Sequence, residues 1–142
     1  MPSFAESPAE VTTATADTPY DRLGGMPVFQ RIADRFYDLM DQEPGYAELR
    51  AMHAPDLAAM RRALPQFLAG WAGGPRDWWE ENPGKCMVSM HAPFAITREA
   101  ARQWGDAMHR AIAEADAADA QVAEALAEVL TRMASGMARS PV

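Results

Sequence analysis

The apolar residues of this chain recur three and four positions apart, in segments cut by glycine and proline, and this constrains its fold more than any other feature. That spacing lines side chains along one face of an α-helix. Alternation at every second residue, the mark of a half-buried strand, is not evident in the sequence. Val28, Ile32 and Phe36, with Phe29, Ala33, Tyr37 and Met40, share one broad face, and Pro44-Gly45 ends that segment. A short helical turn is expected through Leu49 and Met52. Leu57, Met60, Leu64, Phe67, Leu68 and Trp71 form the next stripe, opened by Asp56 as a cap and closed by Gly73-Gly74-Pro75. Pro65 lies inside that stripe and removes one backbone bond, which predicts a kink. Residues 75 to about 86 read as an irregular loop holding Trp78 and Trp79, followed by a short helical piece from Cys86 to His91 that Pro93 limits. Thr97 caps a segment in which Trp104, Met108 and Ile112 are each four apart. A last helix, from Asp116 or Asp119 to Met137, carries Val122, Leu126, Val129, Leu130, Met133 and Met137. Four sizeable amphipathic helices around one core is the architecture this pattern supports.

Composition narrows the function. The 142 residues fit one domain, and 49 % of them are hydrophobic, enough for a substantial core. Residues 1–19, rich in Ala, Ser, Thr and Pro, are expected to form a flexible tail, and residues 20–142 a single domain. The net charge of −7, with no basic stripe, argues against nucleic acid or an anionic membrane surface as partner. No apolar run approaches the ~18 residues of a membrane span, and no secretory signal is evident, so a cytoplasmic location is expected. The single cysteine, Cys86, forms no internal disulfide. Cys86 stands alone five residues before His91, so the chain carries no Cys-x-x-Cys-His motif. His53, His91 and Cys86 lack the paired spacings of a structural zinc site.

Periodicity alone stops at a helical domain; particular residues go further. Tyr20 to Gly25 reads YDRLGG, and Arg35-Phe36-Tyr37 follows. Phe67 to Pro75 reads FLAGWAGGP. His91-Ala92-Pro93-Phe94 is followed by Ile96, and Trp104 stands thirteen residues after His91. In that order these pieces resemble the group II truncated haemoglobins, over roughly residues 20–113 with a compatible last helix. The resemblance implies an all-α, truncated globin-like helical sandwich of about four main helices around one haem b. It makes His91 the proximal iron ligand and sends Trp104 into the distal pocket. The chain also departs from the family. The Gly-His-Pro and Arg-x-Arg that usually precede the proximal histidine are missing, and Gly84 to Met90, one residue shorter, carries Lys85 as the nearest cation for the haem propionates.

On the resemblance, a neutral His91 imidazole coordinates iron and leaves one face open to a diatomic ligand. By residue type alone, His91 reads as a loop histidine near a proline with no ligand role. Tyr37, late in the first long helix, offers a hydroxyl donor, and Trp104 a donor-only indole nitrogen. Each is otherwise a large core residue. His53 is a distal candidate, but a gapless count back from Gly73-Gly74-Pro75 puts Met52 at that position instead. Met60 resembles the position where other globins keep a distal histidine, and its thioether cannot donate. Leu64, Phe67 and Leu68 read as haem-facing or core, Phe94 and Ile96 as packing on the proximal side, and His109 as a surface residue. Trp78 and Trp79 either shield a haem edge or form an exposed patch.

The reading is a protein that reversibly binds dioxygen, or carbon monoxide or nitric oxide, as monomer or homodimer. Two other readings stay open at this point. One is a haem-dependent nitric-oxide dioxygenase or peroxidase, which would need a reductase as separate electron donor. The other is a haem-free helical interaction module.

Overall fold

Thr18 accepts a hydrogen bond from the backbone N–H of Asp21 and so caps a short helix, α1 (Pro19–Leu23). A computed structural model describes residues 18–83 and 96–137 of the chain. Lys85, Cys86, His91, Phe94 and the helical piece expected between Cys86 and His91 lie outside the described residues. After Gly24-Gly25 comes α2 (Met26–Gln42), which buries Val28, Phe29, Ile32, Ala33, Phe36, Tyr37, Leu39 and Met40, the expected face with Leu39 added. A 3-10 turn (Pro44–Tyr46) and α3 (Ala47–Ala51) follow, and then α4 (Ala58–Trp71), with Asp56 accepting from the Ala58 N–H at its start.

Pro65 lies within α4, fully buried, and the helix runs through it unbroken. Proline takes away the N–H that would have bonded the carbonyl four residues earlier, that of Arg61. Gln30 Nε2 on α2 donates to that carbonyl instead, at 3.4 Å. A side chain from the neighbouring helix thus satisfies the acceptor that the proline leaves open.

The expected stripe of α4 is only partly buried. Leu57, Phe67 and Leu68 are core, but Met60 is 42 % and Trp71 38 % exposed. The burial runs instead through Pro65, Phe67, Leu68, Ala69 and Gly70, because the next element folds back over Gly70. That element is a helix, α5 (Asp77–Glu81), where an irregular loop was expected. Trp78 and Trp79 hold it down. Trp79 stacks on Phe67 with ring centroids 4.8 Å apart, and Trp78 meets the same ring edge-on at 5.3 Å. Trp79 Nε1 donates to the Phe67 carbonyl at 3.2 Å. A Cβ on Gly70 would lie 2.4 Å from the Trp79 ring, so only glycine admits this approach. The tryptophan pair is therefore a clasp on α4, with Trp78 buried, and not an exposed patch.

The second half of the fold is a helix pair. Thr97 caps α6 (Arg98–Glu114) by accepting from Ala100 N–H, and Asp119 caps α7 (Ala120–Gly136) by accepting from Gln121 and Val122 N–H. Val129, placed in the apolar stripe by periodicity, is 37 % exposed; Ala123, Leu126, Ala127, Leu130 and Ala134 form the buried face. Alanines carry this face because α6 and α7 make the most extensive helix contact among the described elements. His109, expected on the surface, has a side chain 39 % exposed at the edge of this pair, with Nε2 3.4 Å from Glu124 Oε2. The α2–α4 pair meets the α6–α7 pair through the α2–α6 contact, giving two helices on two. No strand occurs among the described residues, and no helix among them is long and apolar enough to cross a membrane.

Candidate functional site

The α2–α6 crossing gathers the aromatic residues that matter for chemistry. Phe36, fully buried on α2, is the hub: Trp104 of α6 meets it edge-on at 5.5 Å, and Tyr37 at 4.9 Å. His53, just beyond α3, meets the Tyr37 ring edge-on at 6.3 Å. The side chain that reaches Tyr37 is thus that of His53. Met52 packs elsewhere, against a small cluster of Ile96, Ala100 and Ala101. The Nδ1 of His53 lies 2.9 Å from the Leu49 carbonyl. A carbonyl can only accept, so Nδ1 carries the proton in this contact.

Tyr37 is 4 % exposed, and its hydroxyl has no hydrogen-bond partner among the described residues. A buried phenol normally finds one. Burial pushes its ionisation far above the ordinary tyrosine range, and the Arg61 charge pulls weakly the other way. The group therefore stays protonated and can donate. Trp104, half-buried, likewise shows no acceptor for its indole N–H among the described residues. Two aromatic donors flank one buried ring, and neither is used inside the described fold.

Two polar residues that periodicity does not single out support this wall. Arg61 of α4 donates through Nη2 to Asp38 Oδ1 at 2.8 Å and through Nη1 to the Asp34 carbonyl at 3.2 Å, with Cζ 5.9 Å from the Tyr37 ring centre. The sequence shows Arg61-Arg62 next to each other, and nothing in it tells which turns inward. Gln103 is the buried polar residue of the described core: Oε1 accepts from Leu49 N–H at 2.9 Å, and Nε2 donates to Glu99. It fixes α3, and with it His53, against α6.

Among the other candidates, Leu64 and Leu68 belong to the main core. Phe67 does too, with its ring engaged by the tryptophan clasp. Met60 is exposed, and Ile96 is buried in the separate cluster with Met52 and Met137. His91, Phe94 and Lys85 lie outside the described residues.

The sequence model of the bacterial-like globin family matches residues 18–139. The chain belongs to the bacterial-like globins. It is 30 % identical, over 96 residues, to the group 2 truncated hemoglobin YjbI of Bacillus subtilis, covering 68 % of this chain and 70 % of the relative. The cold-adapted truncated hemoglobin of the Antarctic bacterium Pseudoalteromonas haloplanktis superposes with a TM-score of 0.81 at 30 % identity, over 87 % of this chain and 98 % of that one. The group II 2-on-2 hemoglobin of Agrobacterium tumefaciens superposes with a TM-score of 0.81 at 28 % identity, over 87 % and 95 %. The group II truncated hemoglobin of Bacillus anthracis gives 0.77 at 27 %, over 89 % and 99 %. This globin is therefore a group II truncated haemoglobin, and its family implies a haem. The wall just described fits a haem: two buried or half-buried donors without acceptors among the described residues suit a pocket whose occupant accepts hydrogen bonds.

Proposed function

We propose that this truncated haemoglobin reversibly binds dioxygen, with carbon monoxide and nitric oxide as further ligands, at one haem b held by His91. When bound, haem supplies an iron with one face open to a diatomic molecule. The rest is the work of the chain. The Tyr37 hydroxyl and the Trp104 indole N–H donate to the ligand. Dioxygen draws negative charge on binding and responds to such donors; carbon monoxide draws much less. His53, edge-on to the Tyr37 ring, is a further distal residue that helps to hold that ring in place. Leu64 and Leu68 exclude water, and Met60 lines the pocket without donating. Lys85 stands in for the missing arginines at the propionates, Phe94 packs the proximal side, and a backbone carbonyl fixes the His91 tautomer. A single cysteine, which requires no oxidising compartment, suits a cytoplasmic location.

The observation that carries this reading is Tyr37, a residue 4 % exposed whose hydroxyl has no partner among the described residues. A family that binds haem explains an otherwise costly orphan donor. Stopped-flow ligand release tests it. One net hydrogen bond, ~0.5–1.5 kcal/mol, corresponds to about two- to tenfold in release rate. Tyr37→Phe and Trp104→Phe should each speed dioxygen release by that factor and carbon monoxide release by less. Unchanged dioxygen release in both variants would sink the polar-pocket reading.

A further inference from the structure

Arg61 is held in place from three directions. Asp38 takes Nη2 at 2.8 Å, the Asp34 carbonyl takes Nη1 at 3.2 Å, and the Asp34 carboxylate lies 3.5 Å from the same nitrogen. The backbone carbonyl of Arg61, which Pro65 leaves without its helical partner, is taken by Gln30 Nε2. Side chain and backbone are thus both tied to α2, the helix that carries Tyr37. The guanidinium Cζ then stands 5.9 Å from the Tyr37 ring centre. A cation at a phenol ring is attracted to its π-face and draws electron density from it. A phenol depleted of density binds its proton less tightly and donates a stronger hydrogen bond.

We infer that Arg61, clamped by Asp34 and Asp38, is a positioning residue that orients the Tyr37 ring and strengthens its hydroxyl as a donor to the pocket ligand. The inference rests on the reading of Tyr37 as a ligand donor. It explains why this helix tolerates a proline four residues after Arg61: the Gln30 contact turns the defect into a second anchor for the same residue. Arg61 touches no ligand in this scheme and acts only through Tyr37. The remaining charges at this spot, Asp34 and Asp38, are the carboxylates already paired with it.

The test is a double-mutant cycle on the haem-loaded protein, comparing wild type, Arg61→Gln, Tyr37→Phe and both together. Arg61→Gln should speed dioxygen release about two- to fivefold, the range of a half-exposed cation–π contact. The same change made in the Tyr37→Phe background should have no effect. Arg61→Lys, which keeps the charge without the fork, should recover part of the loss. Two spectroscopic readouts do not depend on rates. The carbon monoxide stretch of the saturated protein should rise in Arg61→Gln and not in the double variant. The 13Cζ resonance of Tyr37, in protein carrying labelled tyrosine, should shift in Arg61→Gln and return toward its original position in Arg61→Lys. If Tyr37→Phe leaves release unchanged, the donor reading fails and takes this inference with it. If Tyr37→Phe accelerates release while Arg61→Gln does nothing, or acts equally in both backgrounds, only the role of Arg61 is overturned.

Discussion

Two regions of this globin use the same residue types to opposite ends. Tyr46 and Trp79 spend their polar atoms on the protein. Tyr46 donates its hydroxyl to Asp106 Oδ2 at 2.5 Å and accepts from Arg110, and Trp79 Nε1 donates to the Phe67 carbonyl. At the α2–α6 crossing, the Tyr37 hydroxyl and the Trp104 N–H find no acceptor among the described residues. Tyr46 and Tyr37 are equally buried, at 4 % exposure, yet only the Tyr46 hydroxyl has partners inside the described fold. The contrast separates aromatic residues whose polar atoms hold the fold from those whose donors stay open, which on the proposed reading serve a ligand. An internal bond contributes about 0.5–1.5 kcal/mol to stability, whereas a buried donor without a partner carries a desolvation cost of about 1–3 kcal/mol that a ligand can relieve.

The most severe way to break this comparison is to remove what the second pair is proposed to serve. His91→Ala should abolish normal haem retention, read as loss of the Soret band and of one haem per chain; unchanged stoichiometry would remove His91 as the ligand. Next in size, Gly70→Ala attacks the first pair alone. Its Cβ would meet the Trp79 ring at 2.4 Å, so unfolding should come ~1–3 kcal/mol earlier while ligand release stays as in wild type. Denaturant titration beside stopped-flow release reads both quantities.

A smaller effect sharpens the contrast directly. Tyr46→Phe strips its hydrogen bonds from Asp106 and Arg110 and should destabilise by ~0.5–1.5 kcal/mol without changing dioxygen release. Tyr37→Phe should do the reverse, costing no stability while speeding release. Equal stability losses in the two variants would show that Tyr37 has a structural partner after all. Smaller still is Lys85→Ala, which should raise the rate of haem loss only modestly, because an exposed lysine pair is worth ~0–1 kcal/mol. Haem transfer to an acceptor globin measures it.

The smallest effect concerns acid. Glu99 is held at about 2, well below its ordinary 4.5, by hydrogen bonds from Arg102 first and Gln103 second. Its folded value lies below its unfolded one. Its contribution is therefore fully present above about pH 4.5 and is lost as pH falls through about 2. Glu99→Gln should flatten the acid limb of the stability curve over that window and leave neutral pH unchanged.

Much of this was legible in one chain of letters. The three-and-four spacing marked every long helix, since an amphipathic face is a local property of the sequence. The stop signals at Pro44-Gly45 and Gly73-Gly74-Pro75 and the caps at Thr97 and Asp119 act within a turn of themselves, so they too can be read directly. Tyr37 and Trp104 were identifiable as donors by their type and by the family pattern. The exposed ends of the α4 stripe, the outward Val129 and the helix carrying Trp78 and Trp79 were not, because each depends on which element lies against it.

What the sequence determined by itself was the class of fold, the order of its helices and the kinds of atom available to a ligand. Periodicity and capping are settled between residues a few positions apart, and residue type sets donor and acceptor chemistry without reference to neighbours. Only the tertiary structure decided which donors are used up and which remain. Trp79 and Trp104 carry the same indole N–H, yet one meets the Phe67 carbonyl twelve residues away and the other meets nothing among the described residues. It decided likewise that His53 and not Met52 turns to Tyr37, and that Arg61 of the two adjacent arginines reaches α2. The physical reason is the same in each case. Hydrogen bonding, burial and charge pairing are fixed by distances of a few ångströms between residues far apart in the chain, and those distances exist only once the helices have packed.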